Sequence, residues 1–270
     1  MPPSEKIFRT ICLCHIREAE GATCDARRAT GRPRVLEFEY LLDRIVYALR
    51  TGCQWSALPV RDGSYKTVHH YFHKWALRGV FERAWHDTVR WYKRVRPARR
   101  GRPRAEARVV VIDTSFVKNV HGRDVLGRNP TDRGRNATKV SMLTDARGTP
   151  LALTFHRANR HDSKTLAHTL RVAERSVGVC GWADTLHADK GYDAQTCREA
   201  CLAYGLRPVI SRRGRPTDRR DNATRVVVEQ TFGLLDQFRR IRVRYDAKIQ
   251  TFKAFHFVAC GLIAARRVSA

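Results

Sequence analysis

The first hydrophobic periodicity along the chain is helical. Between Val35 and Arg50 the apolar positions Leu36, Tyr40, Leu41, Ile45, Val46 and Leu49 recur near every 3.6 residues, which predicts an amphipathic helix. Gly52 stops it, and Leu58-Pro59 opens a loop. A second helix is predicted over Tyr65–Leu77, capped by Ser64 and closed by Gly79, and a third from Phe81 to about Val95. Three short helices with tight connections describe a helix-turn-helix-like module. On the second helix Lys66, His69, His70, His73 and Lys74 are candidates for an exposed basic face that meets DNA, and the bland reading is a solvated face.

Pro97 to Ala107 is a basic Gly/Pro linker carrying Arg100-Gly101-Arg102-Pro103-Arg104, whose Arg100 and Arg102 suit insertion into a narrow minor groove. Beyond it the period changes. Val109-Val110-Val111-Ile112 is a β-branched run expected of a strand buried on both faces. Lys139–Leu143 and Leu151–Phe155 read as two more strands around the hairpin turn Asp145-Ala146-Arg147-Gly148. Helices are expected over Ser163–Arg175, Ala194–Tyr204, Asn222–Arg240 and Phe252–Ala265, with strands at Thr185–Ala188 and Arg207–Ile210. A three-strand meander followed by alternating helices and strands predicts an α/β protein with a ribonuclease H-like core. The expected organisation is a helical DNA-binding domain at 1–96, a linker at 97–107 and a catalytic domain at 108–270.

Charge sharpens this picture. The 270 residues hold 52 Lys and Arg against 26 Asp and Glu, a net charge of +26, and a surface that basic calls for nucleic acid. No apolar run of membrane-spanning length and no apolar signal core occur, so a cytoplasmic, nucleoid-associated protein is expected, or a nuclear one in a eukaryotic or viral source. The eight cysteines are expected as thiols. Cys12-x-Cys14-His15 with Cys24 lacks the two-residue gap and the second ligand pair of a zinc site.

Three acidic residues stand out from the basic background. Asp113 ends the buried Val/Ile run, Asp189 follows Leu186-His187-Ala188 before Gly191, and Glu229 lies on a helix among the apolar Val226, Val227, Val228 and Phe232, so it is expected to point toward the domain body. Two strand ends and one helix suit convergence on a pair of Mg²⁺ ions, with Mn²⁺ as substitute. Singly, Asp113 also reads as a cap, Asp189 as a turn former and Glu229 as an ion-pair partner of Arg225.

From about Gly31 to Asp246 the chain resembles the small DDE transposases of bacterial insertion sequences, in the five-type branch. The resemblance rests on Arg50-Thr51-Gly52-Cys53-Gln54-Trp55, Gly79-Val80-Phe81-Glu82, Ile112-Asp113 and His161-Asp162-Ser163. It continues in Ala188-Asp189-Lys190-Gly191-Tyr192-Asp193, Arg225-x-x-x-Glu229 and Arg244-Tyr245-Asp246. It implies that Asp113, Asp189 and Glu229 are the metal-binding catalytic carboxylates. It also implies hydrolysis at transposon ends, joining of the 3′-hydroxyls to target DNA, and action on double-stranded DNA as a homodimer or higher oligomer. Arg225 would hold a phosphate or orient a carboxylate, Lys190 and Lys139 would contact the DNA backbone, and Asp162 and Asp193 read as helix caps. The resemblance departs at Asp236, where related sequences carry Lys two turns beyond the Glu. A DNA-binding relic of such an enzyme is the alternative, and a structure-selective nuclease a further one.

Overall fold

A computed structural model describes residues 3–21, 36–61, 63–95, 108–216 and 219–269. The helices are α1 (Pro3–Ala19), α2 (Phe38–Thr51), α3 (Tyr65–Leu77), α4 (Val80–Val95), α5 (Leu166–Val177), α6 (Gln195–Ala203), α7 (Arg219–Asp236), α8 (Arg239–Arg242) and α9 (Ile249–Ser269). The strands are β1 (Val109–Asn119), β2 (Gly127–Arg128), β3 (Asn136–Asp145), β4 (Pro150–Arg157), β5 (Thr185–Ala188), β6 (Arg207–Ile210) and β7 (Val243–Arg244).

The sheet is built outward from β1. Val110, Val111 and Ile112 are fully buried, as a β-branched run covered on both faces should be. On one side β1 pairs antiparallel with β3, which pairs antiparallel with β4; on the other it pairs parallel with β5, which pairs parallel with β6. A meander joined to parallel strands through a shared first strand is the ribonuclease H-like arrangement expected from the sequence. β1 is longer than its apolar run, because β3 stays paired with it as far as Lys118↔Ala137. Asp113 therefore lies within a strand and not at its end.

Alternation along the strands assigns the two faces. On one face Thr169 of α5 bonds Ser141 of β3 at 3.1 Å and Thr154 of β4 at 2.7 Å. On the other, Phe155 of β4 meets Phe252 and His256 of α9 with ring centroids 5.9 and 5.1 Å apart. α7 lies on this second face. Its buried Thr231 donates to the Gly148 carbonyl in the β3–β4 turn at 3.1 Å. Gly148 has φ +75°, and a Cβ there would fall 2.6 Å from the Thr231 hydroxyl, so the turn admits α7 only with glycine. The helix expected to reach Arg240 breaks after Asp236, where the buried, extended Phe238 precedes α8.

α9 is buried nearly all round, as a helix between two layers must be. Its inner side covers the sheet, and its outer side receives α1, α3 and α4. Phe72 stacks on Phe255 at 4.3 Å and Trp85 on Phe257 at 5.5 Å. Trp85 Nε1 donates to the Pro150 carbonyl at 3.2 Å, and the Tyr92 hydroxyl to Asp145 Oδ2 at 2.7 Å. The hydrophobic core is thus continuous from the N-terminal helices into the sheet. The expected linker at 97–107, with Arg100 and Arg102, lies outside the described residues.

Two features of the helical part differ from expectation. Ser64 caps α3, accepting from Lys66 N, and Gly79 closes the turn at φ +64°, as predicted. Yet α1, which no sequence signal marked, packs Phe8, Cys12 and Ile16 inward at four-residue intervals. Of the expected basic face on α3, Lys66 and His70 are exposed. His69 instead packs on Trp55 at 4.9 Å and on His73 at 5.1 Å, and Lys74 pairs with Glu20 at 2.7 Å.

Burial holds the imidazoles of His86, His156 and His256 down, each to about 4. The unfolded chain therefore binds more protons than the folded one between about pH 4 and the ordinary histidine value of about 6.5. Their contribution to stability is complete above that window and is lost as the pH falls through it. Denaturant midpoints should drop from pH 7 to pH 4.5, and His256→Gln should flatten the slope; an unchanged slope in the variant would refute this source.

Candidate active site

The register of β1 against β5 brings the first two carboxylates together. Val109 stands opposite Thr185, Val110 opposite Leu186 and Val111 opposite His187. Two residues further along each chain come Asp113 and Asp189, at the same level on neighbouring chains about 4.8 Å apart. β5 ends at Ala188, so the chain leaves the sheet just where Asp189 stands. A turn of 3₁₀ helix over Lys190–Tyr192 follows, and the Asp189 carboxylate caps it by accepting from Gly191 N.

α7 supplies the third. Arg225, only 15% exposed, reaches Asp189 Oδ2 with Nη2 at 3.5 Å, and Glu229 follows one helical turn later. Glu229 does not face the protein body as its apolar neighbours suggested. Val228, Thr231 and Leu235 are the buried positions of the helix, and Glu229 is exposed. Arg225 bonds Asp189 and not Glu229, which removes the simple ion-pair reading of that helix turn.

Asp113 registers the convergence electrostatically. Burial pushes its carboxyl up to about 6 against the pull of the Thr114 N–H and of Arg225, and the charges of Asp189 and Glu229 push it further up. The Thr114 N–H donates to Asp113 Oδ1 at 2.8 Å. Among the described residues no three acidic, imidazole or thiol groups are drawn close enough to form a ready metal shell. The donor chemistry nevertheless suits Mg²⁺: three carboxylates from three elements, mutually repulsive and open on one side, are oxygen ligands whose repulsion a divalent cation relieves.

The expected backbone-contacting lysines lie differently. Lys139 is buried, and its ammonium is held by Asp162 Oδ1 at 2.5 Å and the Arg160 carbonyl at 2.6 Å, so it has no reach to a phosphate. Lys190 is half-buried and donates to the Arg215 carbonyl at 2.8 Å. Asp162 and Asp193 are not side-chain caps. His161 caps the turn before α5, and Ala194 holds the N-cap position of α6, with no side-chain cap. Asp193 instead accepts from Arg198 at 2.7 Å and from Arg213 N at 2.9 Å. Asp236 is exposed at the end of α7, where Arg242 is the cation acting on it. Arg239 and Arg240 do not pair with it: Arg240 bonds Asp246, and the fully buried Arg244 is saturated by Asp124, Thr138 and three backbone carbonyls.

Asp162 is the residue whose place the sequence did not disclose. Besides Lys139 it accepts from the Thr114 hydroxyl at 3.0 Å. Its other oxygen lies against Gly191, where an added Cβ would stand 3.0 Å from both Asp162 Oδ2 and Asp189 Oδ1. The turn bearing Asp189 thus passes close to Asp162, and a side chain at Gly191 would have to move one of the two carboxylates by a few tenths of an ångström. Asp162→Asn would strand the Lys139 charge at a cost of about 2–4 kcal/mol, tempered by the partial exposure of Asp162. Adding Lys139→Met should recover at least half of that loss in urea unfolding, whereas additive losses would exclude the coupling.

Residues 104–263 match the family described as "Transposase DDE domain", and residues 22–85 the family described as "Putative transposase of IS4/5 family". The chain is 36% identical over 146 residues to the "Putative transposase for insertion sequence element IS402" of Burkholderia cepacia, a match covering 53% of this chain and 69% of that protein. It is 34% identical over 146 residues to the transposase for insertion sequence element IS1106 of Neisseria meningitidis serogroup B, covering 49% of this chain and 48% of that one. A pre-cleavage Mos1 transpososome aligns at 11% identity with a TM-score of 0.31, over 100% of this chain and 98% of that chain, too slight a likeness to argue from. With more than half its length matched by the DDE domain, on a ribonuclease H-like sheet, the chain belongs to the DDE transposases of bacterial insertion sequences.

Proposed function

We propose that this transposase cuts DNA at the ends of its element by metal-dependent hydrolysis and joins the freed 3′-hydroxyls to target DNA, with Asp113, Asp189 and Glu229 as its catalytic carboxylates. The observation that carries the reading is the register that sets Asp113, in β1, level with Asp189, just past the end of the adjacent β5, with the charge of Glu229 acting on Asp113. Two Mg²⁺ ions held by these carboxylates would supply an activated attacking oxygen and charge neutralisation at the leaving one.

The chain's own groups prepare that chemistry. Arg225 holds Asp189 in place and keeps a cation beside the position of the scissile phosphate. The Thr114 and Gly191 amides fix one oxygen each of Asp113 and Asp189, and Arg225 reaches the other oxygen of Asp189. Residues 1–96 form the unit that recognises terminal inverted repeats, with Lys66 and His70 available on α3, Lys74 partly engaged, and Arg100 and Arg102 in the connecting segment. Two ends must be brought together, so a homodimer or larger assembly is the working form. No described helix is long and apolar enough to cross a membrane.

Labelled DNA carrying the sequences that flank the gene, incubated with Mg²⁺ or Mn²⁺, tests this reading. The wild type should cut at the element ends, and Asp189→Asn should lower the rate at least about 100-fold, the scale on which removing one transition-state group acts. Tight binding with no cutting by the wild type would favour a DNA-binding relic and direct attention to Asp236.

A further inference from the structure

At the end of β4, where the chain enters the loop before α5, a cleft of about 480 Å³ is lined by Val125, Arg157, Asn159, Arg160, His161 and Lys164 over a floor of Phe155 and His156. These five polar residues of its rim are exposed. The same surface continues along the outer side of α5, where His168, Arg171 and Arg175 are exposed at helical spacing. Residues 157–177 carry five Arg or Lys and two acids, and both acids are engaged by other groups of the fold. Asp162 is bound to Lys139, and Glu174 accepts from the amides of Val179 and Cys180 at 2.8 Å each. The outward charge is therefore uncompensated within the segment.

Resting on the transposase reading, we propose that this cleft and the outer face of α5 form a backbone-phosphate track for duplex DNA, separate from the α3 surface. Arg171 and Arg175 lie one turn apart, and His168 to Arg175 spans about 10 Å at 1.5 Å per residue. That length covers about three phosphate steps at 3.4 Å of rise along one strand. An acidic protein is the poorer occupant. None of the exposed large hydrophobic side chains of the described residues lies in 157–177, so an aromatic or aliphatic anchor for a protein interface is missing. The positive field also acts on its own histidines. Burial and then Arg171, Arg160 and Lys253 depress His168, while His168, Arg160, Lys139 and Lys253 add to the burial of His156.

The track begins beside the catalytic turn. Asp162 lies close to Gly191, and Arg213 ties His161 to the same turn through Nη2 at 3.0 Å while its Nε donates to the Lys190 carbonyl at 3.2 Å. A duplex seated on α5 would thus approach the turn that bears Asp189 from the sheet face opposite α7 and the N-terminal helices. One protomer would present two DNA surfaces, as a reaction joining an element end to a second duplex requires.

Salt dependence of binding to a duplex of unrelated sequence tests the track with the full chain. The patch variant is Arg160→Gln/Lys164→Gln/Arg171→Gln. The control is Arg133→Gln/Arg207→Gln/Arg266→Gln, with the same change in net charge and all three positions exposed outside residues 1–96 and 157–177. Each phosphate contact contributes about 0.9 to the slope of log K against log salt. The patch variant should lose about 2–3 from that slope, Arg171→Gln alone about 1, and the control less than 1. Equal slopes for patch variant and control overturn the track while leaving the transposase reading standing. Failure of the wild type to bind any duplex overturns both.

Discussion

The parallel pairing of β1 with β5, in the register that sets Val111 against His187, is the constraint on which the candidate site depends. It places Asp113 and Asp189 at one height and, through the two-residue period of a strand, on one face. A slip of one residue would turn one of the two carboxylates to the opposite face. The buried Val110-Val111-Ile112 run makes such a slip costly, because it would move the run against a sheet already packed on both sides. Core packing therefore fixes the geometry of polar groups that contribute nothing to the core themselves.

The third carboxylate is fixed by a different device. α7 has no strand to hold it, and its seat on the sheet is set by Thr231 against Gly148 in the hairpin turn. Arg225 then couples that helix to the turn after β5, and Asp162 lies close to the same turn. The buried Lys139 neutralises Asp162, so this fourth acid adds little to the repulsion among the other three. In a chain with a net charge of +26, the candidate trio is thus a place where acidic charge gathers, and Asp113 is pushed up by the other two.

Much of this was legible in the residues. Explicit caps and turns such as Ser64, Gly79 and Asp145-Ala146-Arg147-Gly148 marked their elements, and the β-branched run marked the central strand. α1 escaped notice because its inward face includes Cys12, which a search for metal ligands reads as chemistry and not as an apolar position. The polar half of β1 was hidden because Asp113, Thr114 and Ser115 resemble a loop. They stay in the strand because β3 remains paired after β5 has left. Glu229 was misdirected by its neighbours: Val226 is 42% exposed, so local hydrophobicity did not mark the buried side of α7. Lys139 and Asp162 were assigned to DNA and to a cap because a buried ion pair between a strand and a distant turn leaves no local pattern.

Direct measurement of divalent metal binding tests the convergence of the three carboxylates most closely, and it needs no DNA. Mn²⁺ titration of the folded protein, followed by electron paramagnetic resonance and calorimetry, would be compared across the wild type, Asp113→Asn, Asp189→Asn and Glu229→Gln. Saturable binding in the wild type, weakened at least tenfold in each variant with its thermal unfolding in the absence of metal little changed, is the predicted result. Equal Mn²⁺ affinity in all four proteins would contradict a shared metal site at Asp113, Asp189 and Glu229.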